Sequence, residues 1–150
     1  GSQKYINNMA TIDNRKIPAK LYKQIVELVP ILCVDVILIL GNKFILVRRK
    51  TEPLKGELWL PGGRAYKNET LLETAKRKVK EETGLEAEDF KRVGVYQDFY
   101  DKSAWGVLTS SMSVVFMAEV FDFVPKPDKT VSDIEIVDNL PVRFLQNYEN

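Results

Sequence analysis

The chain of 150 residues contains no histidine. That absence removes Ser-His-Asp and Cys-His nucleophile systems, histidine-ligated zinc and any imidazole base. Carboxylates, lysine, tyrosine or metal-bound water are left to move protons. The one cysteine, Cys33, lies in the apolar run Val29-Pro30-Ile31-Leu32-Cys33-Val34, so no disulfide can form within the chain and the thiol reads as a small buried hydrophobe. An excess of charge is missing too: 22 basic and 21 acidic residues leave a formal charge of +1, which gives no footprint for nucleic acid. No apolar run reaches membrane length, since the longest, residues 29–40, is short and interrupted by Asp35, and the N-terminus lacks a basic region followed by an apolar core. The expectation is a cytoplasmic protein with neither membrane nor nucleic acid as partner.

What is present suits one compact domain, with 45% hydrophobic and 29% charged residues. Residues 1–12 are polar and without period, and Gly1-Ser2 resembles an expression scar, so a disordered or tag-derived tail is expected there and a single domain over 13–150. Pro18 opens a helical pattern with Leu21, Ile25 and Leu28 at i, i+4 and i+7, a stripe that docks either on the domain or on a second copy in a homodimer. β-Branched residues over 31–40 predict a strand buried on both faces, and Gly41-Asn42 predicts a hairpin into residues 43–49. A loop with Pro53 and Gly56 leads to Leu58-Trp59-Leu60-Pro61-Gly62-Gly63. An amphipathic helix follows over 69–83, with Asn68 as its N-cap and Gly84 as its stop. Strand-like runs at 91–100 and 111–124, an edge strand at 133–137 and a short helix from 139 complete the chain. This order is too mixed for a doubly wound parallel sheet and predicts an α+β fold, an α/β/α layered sandwich around a mixed β-sheet.

Between Gly63 and Leu85 a glycine-rich loop feeds a helix whose last turns carry adjacent carboxylates, Glu81 and Glu82. Glycine lets backbone approach a metal or phosphate closely, and neighbouring carboxylates suit magnesium, which binds through a few of them plus water and substrate phosphate. The stretch resembles the Nudix box, G-x(5)-E-x(7)-R-E-U-x-E-E-x-G-U with U a bulky aliphatic residue, at Gly63, Glu69, Arg77, Val79, Glu81, Glu82, Gly84 and Leu85, eight of nine defined positions. The resemblance runs over residues 28–145 and implies the Nudix fold. It implies magnesium-dependent hydrolysis of a nucleoside diphosphate derivative, with Mg2+, or Mn2+ in its place, held by the Gly63 carbonyl, Glu81 and Glu82. Glu81, Glu82 and Arg64 are then the catalytic candidates, a small-molecule nucleotide or nucleotide-sugar is the partner, and Glu69 pairs with Arg77.

The ninth position departs: Lys78 stands where the family has the first Glu of its helical carboxylate cluster. Lying at i, i+3 and i, i+4 from Glu81 and Glu82, its ammonium shares their helix face and predicts weaker metal binding. The plainer alternative is an exposed pair with Glu82 worth ~0.3–0.5 kcal/mol.

Within the family the nearest likeness is to GDP-mannose mannosyl hydrolases, which also lack that Glu. It is carried by Asp35, Arg49, the turn Pro61-Gly62-Gly63-Arg64 and residues 94–101. It implies that Arg49 and Arg64 bind the diphosphate, with Asp35 and Tyr100 as further substrate contacts, and that water attacks the sugar carbon of a GDP-sugar such as GDP-mannose. Guanidinium forks suit a diphosphate. Those hydrolases use a histidine base on the strand matching residues 110–112 here. Without one, either Glu81, Asp101 or Asp122 activates the water, or attack falls on phosphorus, as in most Nudix pyrophosphatases. The competing expectation is a Nudix-fold nucleotide-binding or sensor protein whose catalysis is weakened by Lys78. Trp59, Tyr96, Phe99 and Tyr100 read mainly as core, and Trp105, in the polar link, is the aromatic expected to stack on a base.

Overall fold

Gly41 adopts a left-handed φ of 62° and turns β1 (Ile31–Leu40) into β2 (Lys43–Arg49), the expected antiparallel hairpin with Leu38 opposite Ile45. The computed structural model that shows this describes residues 17–101, 106–129 and 131–149, so the expected tail and Trp105 lie outside the described residues. Along nearly its whole length β1 also pairs with β6 (Thr109–Glu119), in parallel, from Ile31 opposite Ser111 to Ile39 opposite Glu119. Both strands therefore begin at the same end of the sheet. Beside β6 runs β5 (Glu88–Tyr100), antiparallel, and β7 (Val131–Val137) lies antiparallel on β2. Three short pieces, β3 (Leu58–Trp59), β4 (Gly62–Arg64) and β8 (Tyr148–Glu149), pair with β2, β1 and β5 and complete an eight-stranded mixed sheet. The run expected to reach residue 124 stops at Glu119, because Phe121 and Val124 turn to solvent.

The period of two along β1 divides the core. Val34, Val36 and Leu38 pack with Ala75 and Val79 of α2 (Leu71–Thr83), while Ile37 joins Trp59, Tyr96, Val115 and Phe144 beneath α3 (Val142–Asn147). Each such buried side chain contributes about 1.5–3 kcal/mol. The sheet thus has a helix on each face, as the sequence predicted.

Two helix expectations are corrected. Asn68 is not the N-cap of α2; it takes a left-handed φ of 68° two residues earlier. The cap is Thr70, whose hydroxyl accepts from the Glu73 N–H at 3.0 Å while the Glu73 carboxylate accepts from the Thr70 N–H at 3.2 Å. This reciprocal box satisfies two otherwise orphaned donors, more than Asn68 would. Gly84 does end the helix, in the left-handed region at φ 68°. In α1 (Ala19–Leu28) the predicted stripe does not dock on this domain: Leu21 and Leu28 are 49% and 80% exposed, and the face turned inward carries Tyr22 and Val26. Periodicity marks a stripe but not which of two adjacent stripes finds a partner. Among the described residues, no helix is long and apolar enough to cross a membrane.

Candidate functional site

Where β1 and β6 begin, alternate residues Ile31, Cys33 and Asp35 and their neighbours Thr109, Ser111 and Ser113 face a cleft of about 190 Å³. Its other walls are Arg49 at the end of β2, the loop Glu52-Pro53-Leu54, the rings of Trp59, Tyr96 and Tyr100, the turn Gly62-Gly63-Arg64, and Tyr22 and Val26 from α1. Asp35 is the buried carboxylate of this cleft. Burial pushes its carboxyl up to about 6, against a hydrogen bond from Ser113 and the charge of Arg49. Burial also pushes the Cys33 thiol up to about 12, which leaves it unreactive. Gly62 is obligatory here: a Cβ would fall 2.1 Å from Asp35 Oδ1 and 2.4 Å from the Val34 carbonyl oxygen.

The glycine turn joins this cleft to the carboxylates of α2. The Gly62 N–H donates to Glu82 Oε1 at 2.9 Å. Burial raises the Glu82 carboxyl above its ordinary value, even though Lys78 and that N–H pull the other way. Lys78 lies in the middle, its Nζ 3.4 Å from Glu81 Oε2 and 3.6 Å from Glu82 Oε2, with only 14% of its side chain exposed. Its tail lies on Gly63, where a Cβ would come within 2.7 Å of Lys78 Cε. The exposed helix pair is therefore excluded: Lys78 is inserted between carboxylates and glycine.

The donors expected for magnesium, Gly63, Glu81 and Glu82, are thus brought together, but around an ammonium. Among the described residues no group of three acidic, thiol or imidazole side chains is placed to hold a metal ion. With Lys78 so positioned, the cluster does not fit a divalent cation. Magnesium prefers several oxygens at about 2.1 Å, and here the centre is filled by a positive group.

Beside Lys78 on α2, Arg77 forms the expected pair with Glu69. Its Nε donates to Glu69 Oε2 at 2.7 Å and Nη2 to Glu69 Oε1 at 3.0 Å; Nη2 also donates to the Arg64 carbonyl at 3.0 Å. The Thr74 hydroxyl and Tyr66 N–H complete the carboxylate, at 2.7 and 3.1 Å. Burial opposes ionisation of Glu69, but these donors hold its carboxyl down at about 2. The Tyr66 ring lies 3.6 Å from the Arg77 guanidinium carbon and 4.9 Å from that of Arg64, which in turn lies 5.5 Å from the Tyr22 ring. Cation–π contacts with two rings set Arg64 at the cleft.

On the far wall Tyr96 donates to Asp98 Oδ2 at 2.7 Å and shares a 2.8 Å hydrogen bond with Tyr100. Arg143 of α3 grips Asp98 with two donors, so the C-terminal helix fixes the tyrosine wall.

Asp35, Arg49, Gly63, Arg64 and Tyr100 therefore share the cleft, with Glu81 and Glu82 adjoining it behind the glycine turn. Neither Asp101 nor Asp122 lines it, and both are exposed. Trp59 and Tyr96 are core and cleft wall at once, while Phe99 points away, 59% exposed. Sequence reasoning missed Tyr22, Ser113 and Arg143. The alternation along 109–113 was a signal for Ser113; none pointed to the other two.

A NUDIX domain family model matches residues 30–142. The chain is similar to a protein named ADP-ribose pyrophosphatase from Methanocaldococcus jannaschii, 36% identical over 114 residues, covering 75% of this chain and 65% of that protein. It is also similar to low-salt glycan biosynthesis protein Agl8 of Haloferax volcanii, 35% identical over 96 residues, covering 64% and 62%. The match thus spans a little under two thirds of the length of these relatives. Among solved structures, the NUDIX domain of Shewanella oneidensis NrtR, complexed with ADP ribose, superposes with a TM-score of 0.65 at 21% identity, covering 94% of this chain and 92% of that one, a likeness of fold. A match that takes in the entire glycine turn, α2 and every carboxylate of the site makes this chain a member of the NUDIX domain family.

Proposed function

We propose that the chain hydrolyses a nucleoside diphosphate joined to a sugar, and that the attack falls on phosphorus. The observation that carries this reading is the cleft in which Arg49 and Arg64 flank the glycine turn, opposite a wall of aromatic rings. Guanidinium groups match a diphosphate, and Trp59, Tyr96 and Tyr100 offer faces and hydroxyls to the groups it links. Attack on phosphorus is favoured over attack on the sugar carbon because the residues matching the strand where the mannosyl hydrolases keep a histidine are Ser110, Ser111 and Met112 here. The names of the similar proteins point to ADP-ribose, and the sequence likeness to GDP-mannose; both belong to this substrate class.

In this reading water adds to one phosphorus, the bridging P–O bond breaks, and two monophosphates leave. Asp35 accepts the water proton. It faces the cleft, and with its carboxyl at about 6 it is ionised at neutral pH yet basic enough to take a proton. Glu81 is less suited, since Arg77 and Lys78 both lie against its carboxylate, at 3.3 and 3.4 Å. Arg64 and Arg49 offset the charge that grows on the leaving oxygen.

The test is a panel of ADP-ribose, GDP-mannose, GDP-glucose and nucleoside triphosphates, with products resolved by chromatography. A nucleoside monophosphate is expected, and Asp35→Asn should lower kcat by about 10²-fold or more. GDP with free sugar would place the attack on carbon. One observation favours a second reading, a nucleotide sensor: the lysine that fills the carboxylate cluster. Tight binding of a panel member without any product would establish it.

A further inference from the structure

Nudix hydrolases generally use divalent metals, and the centre of this site does not fit one. We propose that the Lys78 ammonium is the resident cation of the site, so that this chain binds the diphosphate of its ligand without a metal ion. The inference rests on the nucleoside diphosphate reading above and concerns which positive charge meets the phosphates.

Three observations carry it. The lysine is seated inside the site: the end of its side chain lies against Gly63, 2.7 Å from where a Cβ would stand, and 14% of it is exposed. Next, both carboxylates that remain from the helical cluster are committed. Glu81 and Glu82 each face the ammonium within 3.6 Å, and Glu82 also accepts the Gly62 N–H. The last is charge. Two glutamates and one lysine sum to −1, where three glutamates would sum to −3, so the attraction that concentrates a dication is largely gone and a like charge stands at the centre. Lysine binds phosphate as a point charge, and Lys78 lies one glycine away from the cleft that holds Arg49 and Arg64. Arg49, Arg64 and Lys78 then stand as three cations around a diphosphate linker, which at neutral pH carries about −2.

Calorimetric titration of the whole chain with ADP and with GDP, once in EDTA and once in excess magnesium chloride, tests the proposal. For the tighter nucleotide the two affinities are expected to agree within about twofold. In EDTA, Lys78→Met should bind about tenfold or more weakly and Lys78→Arg within a few-fold of the parent; Lys78→Glu should bind only when magnesium is supplied. Far-UV circular dichroism separates loss of binding from loss of fold, and the Lys78→Arg chain keeps the test valid if Lys78→Met does not fold. Binding by the parent that magnesium tightens more than tenfold, or EDTA binding by Lys78→Met equal to the parent's, overturns the proposal and leaves the nucleoside diphosphate reading intact. Absence of binding by the parent in both solutions removes that reading, and this proposal with it.

Discussion

Arg77 and Lys78 are neighbours in sequence, both cationic and hidden to the same degree, at 13% and 14% side-chain exposure, yet they meet their carboxylates differently. Arg77 grips Glu69 through two nitrogens, and Thr74 and Tyr66 supply the remaining donors; the carboxyl is held down at about 2. Lys78 donates a long hydrogen bond to Glu81 at 3.4 Å and lies 3.6 Å from Glu82, and Glu82 stays raised because its burial outweighs the nearby charge. Proximity of opposite charges is common to both clusters. The difference is hydrogen-bond geometry: a planar fork grips one carboxylate through two short bonds, while a point charge is shared between two at longer range. The first cluster holds the glycine turn to α2. The second stands against the glycine turn at the edge of the cleft.

The sharpest way to break this contrast is Arg77→Met. It strands Glu69 in a half-buried place and releases the Arg64 carbonyl, and about 3 kcal/mol of stability is expected to be lost in urea denaturation at neutral pH. A loss under about 1 kcal/mol would mean that the Glu69 knot contributes no more than an exposed pair. The acid limb reports the same interaction. Glu69 has a folded value near 2 against an ordinary 4.5, so its contribution is complete above 4.5 and disappears as the pH falls through about 2. That limb should flatten in Arg77→Met.

Asp35 should act with the opposite sign. Its folded carboxyl lies near 6 against an ordinary 3.8, so the folded chain holds more protons between those values and ionisation at neutral pH works against folding. Asp35→Asn is expected to gain up to about 3 kcal/mol above pH 6, with the gain fading to nothing below pH 4, as thermal melts across that range would show. A gain that persisted in acid would locate its origin in packing instead of charge. Together with the expected fall in kcat, this exchanges activity for stability at one residue.

The smallest effect belongs to Glu82→Gln. The amide oxygen still accepts the Gly62 N–H, a raised carboxylate is removed, and Lys78 keeps Glu81, so stability should change by less than about 1 kcal/mol. A loss in chemical denaturation matching that of Arg77→Met would show the two clusters to be equally structural.

Much of this was legible because it depends on local pattern. The hairpin at Gly41 and the stop at Gly84 follow from residues close in sequence, whose backbone geometry is local, while the Glu69–Arg77 pair and the departure at Lys78 were legible through the likeness to the Nudix box. What escaped depends on long-range pairing. Tyr22 reaches the cleft only because α1 packs across the start of β6, and Ser113 meets Asp35 only because β1 and β6 run parallel. Arg143 finds Asp98 across 45 positions. Asn68 was misread for another reason. Asn is a fair N-cap by type, but Thr70 and Glu73 satisfy two backbone donors together, and the stronger local solution prevailed. The depth of Lys78 was equally hidden, since a helix period places it beside Glu82 without saying that a glycine leaves room for its tail.

The inward face of α1 gives the molecule a time-dependent property. Val26 is the one fully buried residue of that helix, with Tyr22 beside it against Arg64, so the helix is held to the sheet far less firmly than α2. Elements so lightly held open locally long before the rest of a domain unfolds. Since the same two residues form one side of the cleft, each local opening of α1 also uncovers Arg64 beneath it. Entry and escape of a ligand then share a clock with the fraying of the first helix, and a filled cleft slows that clock by giving Tyr22 something more to rest on.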